Sequence, residues 1–249
     1  MKQFIIAMQF LTIMRLSKNL EVTPEELATS MGYFPMVGLL LGFILIFFNV
    51  LLSPILPGSV VDGILILTLI ICTGALHLDG LADTIDGFAG GNSKEEILQI
   101  MRDSRIGAIG AAGLTMILLL KYACLLSIPD EFKNQVLIVM PVISRCSIVQ
   151  ISFFSDYARS GSGIGQPFAH YVGKRELLLA AITALLLSLI LLGAQGLALT
   201  AIIGLTTWGL SALYRSKIGG ATGDTVGATN EISEVLVLIL ALALLRSVS

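Results

Sequence analysis

Three aspartates recur at helical spacing in the stretch that runs from His77 to Gly87 and reads HLDGLADTIDG. Asp79, Asp83 and Asp86 stand at positions i, i+4 and i+7, so one face of a helix would carry all three carboxylates. Carboxylates crowded on one face repel one another, and the cost is larger at a membrane boundary than in water. A divalent cation removes that cost, and oxygen-only ligands suit Mg²⁺ or Mn²⁺. The stretch therefore predicts a catalytic metal site; the alternative is a solvated acidic cluster that caps a helix end.

Small and polar neighbours favour a binding role for the same stretch. Gly80 and Gly87 directly follow two of the aspartates, and residues without a side chain would let a ligand approach the backbone closely. A lone histidine is more often a hydrogen-bonded structural residue than a base. The acidic neighbours of His77 nevertheless make it a candidate substrate contact.

A second polar stretch, Arg102 to Gly110, reads RDSRIGAIG and stands directly before a long apolar segment. Arginines beside a helix start suit phosphate, because guanidinium groups donate paired hydrogen bonds and the first amides of a helix point at the anion. Arg105 is therefore a candidate catalytic residue. The candidate substrate contacts are Arg102, Asp103 and Ser104. The alternative is that the arginines only anchor the chain at a membrane surface.

A third stretch, Gly219 to Glu234, reads GGATGDTVGATNEISE. Glycine-rich backbone next to an acid, followed by carboxylates three residues apart at the start of an apolar segment, is typical of oxygen ligation. The candidate metal ligands are Asp224, Glu231 and Glu234, with Glu231 also a catalytic candidate, and the candidate substrate contacts are Thr222 and Gly223. A flexible turn with acidic caps on the next helix is the alternative. The stretch is not a Walker loop, because the Gly-Lys-Ser/Thr sequence is missing.

Two arginines and a tyrosine are further candidate substrate contacts. Tyr157 and Arg159 form a Tyr-Ala-Arg segment, which glycines follow at positions 161, 163 and 165. Arg145 lies within an apolar segment, where a charged side chain needs a partner and indicates a functional site. Together these residues could bind a second phosphate. The partner of Arg145 could also be purely structural.

Long apolar segments must position these stretches. Of the 249 residues 55% are hydrophobic and 13% are charged, against roughly 25% charged residues in a soluble domain. Seven segments approach the length of about 20 residues that a membrane crossing needs, namely Tyr33–Leu56, Val60–Leu78, Ile106–Ile128, Val136–Phe154, Leu177–Leu192, Leu197–Tyr214 and Val235–Val248. They predict an all-α, polytopic helix bundle that forms one membrane domain over residues 1–249. Gly193–Gly196 should join the fifth and sixth spans as a hairpin, and Met1–Leu16 should form a helix at the interface or packed on the bundle.

The charges between the spans are distributed unevenly. One side would carry Lys2, Arg15, Lys18, Lys94, Arg102, Arg105, Arg159, Lys174, Arg175, Arg215 and Lys217, and the other only Lys133 and Arg246. Eleven cations against two predict that the first side is cytoplasmic. The N-terminus and the polar stretches would then face the cytoplasm, and the C-terminus would lie outside. No basic run indicates nucleic acid.

The polar stretches resemble the signature stretches of the cobalamin-5′-phosphate synthase family, whose members are also called adenosylcobinamide-GDP ribazoletransferases. The resemblance rests on His77–Gly87, Arg102–Gly107 and Gly219–Glu231 in that order, with Tyr157–Arg159 and Phe10–Thr12 in support. It covers most of the chain. The sequence after Thr12 reads IMRLSK, where the family often has a proline-containing turn.

The resemblance implies a transfer reaction in the late part of cobalamin biosynthesis. Such an enzyme joins adenosylcobinamide-GDP to α-ribazole or its 5′-phosphate and releases GMP, with Mg²⁺ as the expected cofactor. The implied metal ligands are Asp79, Asp83, Asp86 and Asp224, with Glu231 and Glu234 as further ligands or bases, and the implied phosphate contacts are Arg102, Arg105 and Arg159. A multi-pass protein of the cell inner membrane, surrounded by lipid and with a possible homo-oligomeric state, is the implied setting.

Two other functions compete with this interpretation. CDP-alcohol phosphotransferases of lipid synthesis also use aspartates near the ends of membrane helices, but their Asp-Gly is followed by Ala-Arg, whereas Gly80-Leu-Ala is followed here by Asp83. A secondary transporter should carry its polar residues near the middle of the bilayer in broken helices. Most acids of this chain fall at the predicted cytoplasmic ends instead.

Overall fold

The structure, a computed structural model, describes residues 2–17, 21–159 and 171–245. Most of these residues are helical, and a single β-bridge among them joins Tyr157 to Ala221. In chain order the helices are α1 (Lys2–Leu11), α2 (Pro24–Ser30), α3 (Phe34–Leu52), α4 (Gly58–Thr73), α5 (Leu76–Gly90), α6 (Lys94–Ile100), α7 (Ala108–Ser127), α8 (Asp130–Phe154), α9 (Lys174–Ile218) and α10 (Gly223–Leu245). The predicted all-α class is confirmed.

Several helices are long and apolar enough to cross a membrane. Five described stretches qualify: Pro24–Leu52, in which a 3₁₀ turn joins α2 to α3, and the helices α7, α8, α9 and α10. The pair α4 and α5 would be a sixth if it counts as one bent span. The chain thus has the helices of a polytopic membrane protein, and the number of seven spans stays a prediction.

A sharp bend separates α4 from α5. Gly74 and Ala75 both adopt the left-handed backbone conformation, with φ of +61° and +58°, and the chain turns by 91°. This conformation is easy for glycine but costs about 1–2 kcal/mol for alanine. The predicted span Val60–Leu78 is therefore wrong at its C-terminal end, since α4 stops at Thr73. α5 is a separate short helix, outside the five long apolar ones, and it carries His77 and the three aspartates of the first stretch.

α9 folds back on itself at Gly193. The backbone of Gly193 is not helical there, with φ of +58° and ψ of −136°. The hydroxyl of Thr200 donates to the hydroxyl of Ser188 at 3.1 Å. Twelve residues of one straight helix would separate these side chains by about 18 Å. The two halves of α9 therefore lie side by side, as the predicted hairpin requires.

α10 begins twelve residues earlier than the predicted span Val235–Val248. A reciprocal pair of hydrogen bonds at its start explains this: the Thr225 amide donates to Thr222 Oγ1 at 3.3 Å, and the Thr222 amide donates to Thr225 Oγ1 at 2.8 Å. Threonine side chains favour helix starts for this reason. Glu231 and Glu234 therefore lie inside a helix instead of in a loop before it; residues 246–249 lie outside the described part.

α8 forms the centre of the bundle, since 89% of its most apolar 18-residue stretch is buried. α3 packs on it through two glycines. A Cβ atom on Gly42 would lie 2.7 Å from the Cα atom of Ile138, and one on Gly38 would collide with the backbone at Pro141. α1 packs on the same bundle through the buried side chains of Ala7, Met8 and Leu11. This agrees with one of the two predicted placements of the N-terminal helix.

The end of the bundle away from α5 is closed by a buried ion pair. The Lys133 ammonium lies 2.7 Å from a carboxylate oxygen of Asp62 and donates to the carbonyl of Leu125 at 2.6 Å. Lys133 was expected to be a charged loop residue on the outer side. The structure buries it instead, because the α8 helix starts at Asp130 and includes it.

Candidate active site

α5 and α10 cross in close contact, and this crossing brings the first and third polar stretches together. A Cβ atom on Gly80 would lie 2.9 Å from the Cα atom of Asp224, and one on Gly227 would lie 3.2 Å from the Cα atom of His77. A side chain at Gly80 would therefore push the helices apart. Gly87 packs against α6 and the residue after it in the same way. Gly80 also lines the cleft over this crossing, so close approach of a ligand to its backbone stays a prediction.

Three carboxylates gather at this crossing. Asp79 and Asp83 come from α5, and Asp224 comes from the first turn of α10. Burial, followed by the charges of the neighbouring aspartates, raises the pKa of Asp83 to about 6. Crowded negative charges disfavour ionisation, so this acid cluster would be stabilised by a cation.

Arg159 supplies the nearest positive charge. Its Nη2 atom donates to Oδ2 of Asp224 at 2.6 Å. Backbone hydrogen bonds fix the segment before it: the Ala158 amide donates to Ala221 at 2.9 Å, and the Ala221 amide donates to Asp156 at 2.8 Å. Residues far apart in the sequence are thus tied together beside the acid cluster. The contact between the Tyr157–Arg159 segment and the third stretch was not predicted from the sequence.

A cleft of about 260 Å³, here called the central cleft, opens over these residues. The polar side chains that line it are those of His77, Asp79, Tyr157, Arg159 and Asp224, and the other lining residues are Phe10, Leu76, Gly80, Ile148, Gly223, Val226 and Gly227. The buried Nδ1 atom of His77 has no hydrogen-bond partner among the described residues. Charged, polar and apolar side chains therefore line the same cleft.

The residues at the start of α10 shape the position of Asp224. The Thr222 side chain is buried and donates to Oδ2 of Asp224 at 3.3 Å. This hydrogen bond positions the carboxylate of Asp224, and Thr222 itself does not line the central cleft. Gly223 does line the cleft, and a Cβ atom there would meet nothing within 4 Å.

Asp86 has partners of its own on α7. Its two carboxylate oxygens accept hydrogen bonds from the amides of Gly107 and Gly110, both at 2.7 Å. A Cβ atom at either glycine would collide with this carboxylate. Asp86 therefore caps the N-terminus of α7 from a neighbouring helix, and it ties the second polar stretch to the first.

The charged residues of the second stretch lie apart from the central cleft. The Arg105 side chain is 86% exposed and donates to Asp103 at 2.7 Å, and this contact lowers the pKa of Asp103 to about 2. Ser104 is exposed, and Arg102 lines a different cleft. The structure therefore does not bring Arg102, Asp103, Ser104 and Arg105 to the acid cluster.

Glu231 and Glu234 pair with cations inside the bundle. The Lys121 ammonium lies 2.6 Å from Glu231 and 2.5 Å from Glu234, and Arg145 forms an ion pair with Glu234. Arg145 is fully buried. The sequence placed Lys121 and Arg145 within spans and left their partners open. The missed signal was that two buried cations require two buried acids.

Comparison with known proteins identifies the family. The family description cobalamin-5-phosphate synthase matches residues 3–242 of the chain. This chain belongs to that family. Among relatives, the adenosylcobinamide-GDP ribazoletransferase of Geotalea daltonii is 38% identical over 98% of this chain and 98% of its own length. The proteins of the same name from Acetivibrio thermocellus and Syntrophobacter fumaroxidans are 36% and 38% identical over 96% and 93% of this chain, and over 97% and 94% of their own lengths. No solved structure matches the chain.

The acid cluster suits a divalent cation in its donor chemistry. Its donors are carboxylate oxygens, which Mg²⁺ prefers. Within residues 2–17, 21–159 and 171–245, however, no three acidic, histidine or cysteine side chains converge as a ready ligand set. Arg159 occupies one oxygen of Asp224. Metal binding therefore stays a prediction, and what supports it is the type of the donor atoms.

Proposed function

We propose that this chain is an adenosylcobinamide-GDP ribazoletransferase. It joins adenosylcobinamide-GDP to α-ribazole or α-ribazole 5′-phosphate and releases GMP, the late step that forms adenosylcobalamin or its 5′-phosphate. The observation that carries the proposal is the match to relatives of this name over nearly the whole chain. The cluster of acids and one arginine beside a cleft is the site where such chemistry would occur.

The reaction exchanges a phosphoanhydride bond for a phosphoester bond. A hydroxyl oxygen of the ribazole sugar forms a bond to the phosphorus that carries the cobinamide arm. The bond from that phosphorus to the bridging oxygen breaks, GMP leaves with the electron pair, and the hydroxyl proton passes to a base. Positioning and charge stabilisation carry most of such a transfer.

The polar side chains in and beside the central cleft each have a place in this proposal. Asp79, Asp83 and Asp224 would hold Mg²⁺, which supplies positive charge to the phosphate oxygens when it is bound. Arg159 would hold the diphosphate, since a guanidinium group matches two phosphate oxygens. His77 and Tyr157 would contact the substrate from the cleft wall. Because Asp86 is held by α7, and Glu231 and Glu234 are paired with cations, we assign them no metal.

We further propose that the protein forms one domain in the cell inner membrane. The central cleft would lie on the cytoplasmic side. The excess of cations at this end of the helices supports that orientation. In a cysteine-free background, cysteines at Asn92 and Ser216 should react only with reagents that reach the cytoplasm, and one at the exposed Ala194 should react from outside. Labelling of positions 92 and 194 from the same side would contradict the orientation.

The decisive experiment follows GMP release by the purified protein. Adenosylcobinamide-GDP is supplied with and without α-ribazole 5′-phosphate and Mg²⁺, and we expect GMP only when all three are present. A folded preparation that releases no GMP would overturn the proposal. The same preparation given a CDP-alcohol and a lipid acceptor should release no CMP, since CMP release would assign it to lipid synthesis.

A further inference from the structure

A second cleft adjoins the central cleft at Arg159. This basic cleft has a volume of about 520 Å³, and its charged lining residues are Lys94, Glu95, Arg102 and Arg159. Three cations and one acid give it a net positive charge. Arg159 lines both clefts, so a group bound in one lies next to a group bound in the other.

Two of these cations have no acidic partner within the described part of the chain. The side chains of Lys94 and Arg102 are exposed, and neither forms an ion pair with another described residue. Elsewhere in the described chain, buried cations are neutralised, as Lys121 and Lys133 are by carboxylates. Cations gathered around a concave surface without acidic partners are typical of an anion site.

Buried packing beside the basic cleft holds its two sides together. Ile97 in the middle of α6 and Met101 just beyond its end pack with Ala158 and Ile218 in a small buried cluster. The backbone hydrogen bonds from the Ala158 amide to Ala221 and from the Ala221 amide to Asp156 hold the same segment. The spacing between α6, which carries Lys94, and Arg159 is therefore set by packed apolar residues.

We propose that the basic cleft binds a phosphate monoester on the acceptor substrate, namely the 5′-phosphate of α-ribazole 5′-phosphate. This rests on the proposed function and adds to it where the phosphate of the acceptor is held and by which side chains. The family description names a product that carries a 5-phosphate, whereas the relatives' names mention only ribazole. A cationic cleft that adjoins the acid cluster gives that phosphate a place close to the reacting hydroxyl.

The test compares the two acceptors in phosphatidylcholine vesicles, which carry no net charge. Replacing Lys94 or Arg102 by glutamine should lower kcat/KM for α-ribazole 5′-phosphate about tenfold each, the effect of one charge-assisted contact. The value for α-ribazole should change much less, so the ratio of the two values is the readout. Lys174→Gln is the matched control, because Lys174 is also an exposed lysine at the first position of a helix.

Three results would overturn this assignment. Equal losses with both acceptors would show that Lys94 only stabilises the adjacent end of α9, whose Gly219 lies beside its ammonium group. No loss with either acceptor would remove the cations from the site. A loss that appears only when anionic lipid is added would assign them to lipid headgroups.

Direct binding separates this proposal from the proposed function. Equilibrium dialysis of α-ribazole 5′-phosphate against the wild-type protein and Lys94→Gln needs no turnover. We expect binding that weakens about tenfold in the variant and is displaced by inorganic phosphate. Unchanged binding in the variant would overturn the cleft assignment, whereas binding without any GMP release by the wild type would count against the transfer reaction alone.

Discussion

Asp83 lies between other carboxylates and one guanidinium group, and its charge decides how strongly the acid cluster attracts a cation. Its acidic neighbours come from α5 itself and from α10. Asp224 of α10 lies about 140 residues from Asp83 in the sequence. Burial and then repulsion from the neighbouring aspartates raise the pKa of Asp83, and a cation bound there would relieve the repulsion. At the scale of single residues, the cluster is therefore the first place to test.

Asp83→Asn keeps the size of the side chain and removes its charge. We expect GMP release to fall by at least about a hundredfold, because a lost ligand loosens the metal and the phosphate that it orients. The concentration of Mg²⁺ that gives half of the maximal rate should rise. Near-normal turnover of the folded variant, with an unchanged Mg²⁺ requirement, would show that the cluster is only a solvated helix cap.

Arg159 and Arg105 are a second test at this scale, because the structure gives them different surroundings. Arg159 reaches Asp224 in the central cleft, whereas Arg105 is exposed and bonded to Asp103. Arg159→Lys should cost about 2–3 kcal/mol, or roughly a 30- to 150-fold loss of kcat/KM, since lysine lacks the two-pronged donor geometry. Arg105→Lys should cost less, and Arg175→Lys, on an exposed helix start, serves as the control. A larger loss for Arg105→Lys would place the diphosphate at the second stretch.

The residue types of the site were predictable from the sequence, but their partners were not. Helical spacing placed Asp79, Asp83 and Asp86 on one helix, and they do share α5. Spacing says nothing about which neighbouring helix faces each residue. Asp86 meets amides of α7, while Asp83 meets Asp224, because the crossing of α5 with its neighbours is a tertiary feature.

At the scale of secondary-structure elements, the contact between α5 and the N-terminus of α7 is the most specific. A carboxylate that accepts from the first amides of another helix satisfies donors that have no partner within that helix. It also interacts favourably with the helix dipole. This contact fixes the loop 101–107 relative to the aspartates.

Asp86→Asn should weaken this contact, because an amide group offers one acceptor oxygen and no charge. We expect a local loss of about 2 kcal/mol, seen as faster hydrogen exchange at the amides of Gly107 and Gly110. The Mg²⁺ requirement should stay close to that of the wild type, in contrast to Asp83→Asn. If the requirement rises as strongly as in Asp83→Asn while both amides stay protected, Asp86 is a ligand and not a cap.

Element boundaries were predictable where apolar length determines them and not where a cap or bend does. α7 starts and ends within two residues of the predicted span Ile106–Ile128. The end of α4 depends on the left-handed Ala75, and the start of α10 depends on threonine hydroxyls. A hydropathy pattern contains no signal for either.

The bundle as a whole is joined by an ion network on three helices. Lys121 of α7, Arg145 of α8, and Glu231 and Glu234 of α10 bring two positive and two negative charges together in the apolar interior. Removing one partner leaves an unbalanced charge inside the bundle. The network should therefore matter for stability in the membrane.

Glu234→Gln should lower the free energy of unfolding in detergent by about 3–5 kcal/mol, because Arg145 and Lys121 then lack one negative charge. The double variant Glu234→Gln with Arg145→Gln should recover part of that loss, and thermal unfolding of the four proteins of the cycle measures it. Equal stability of Glu234→Gln and wild type would show that the network is dispensable for the fold.

The turn of the α9 hairpin offers a place to attach a second protein. Gly193 lies nineteen residues beyond Lys174, about 28 Å along the helix from the end of the bundle that carries both clefts. Ala194 is exposed, while a Cβ atom at Gly196 would collide with Ser188. A soluble protein inserted between Ala194 and Gln195 should therefore leave both clefts open. Such a fusion would add mass and a recognisable shape to a small membrane protein, which is what single-particle imaging of the enzyme with its substrates requires.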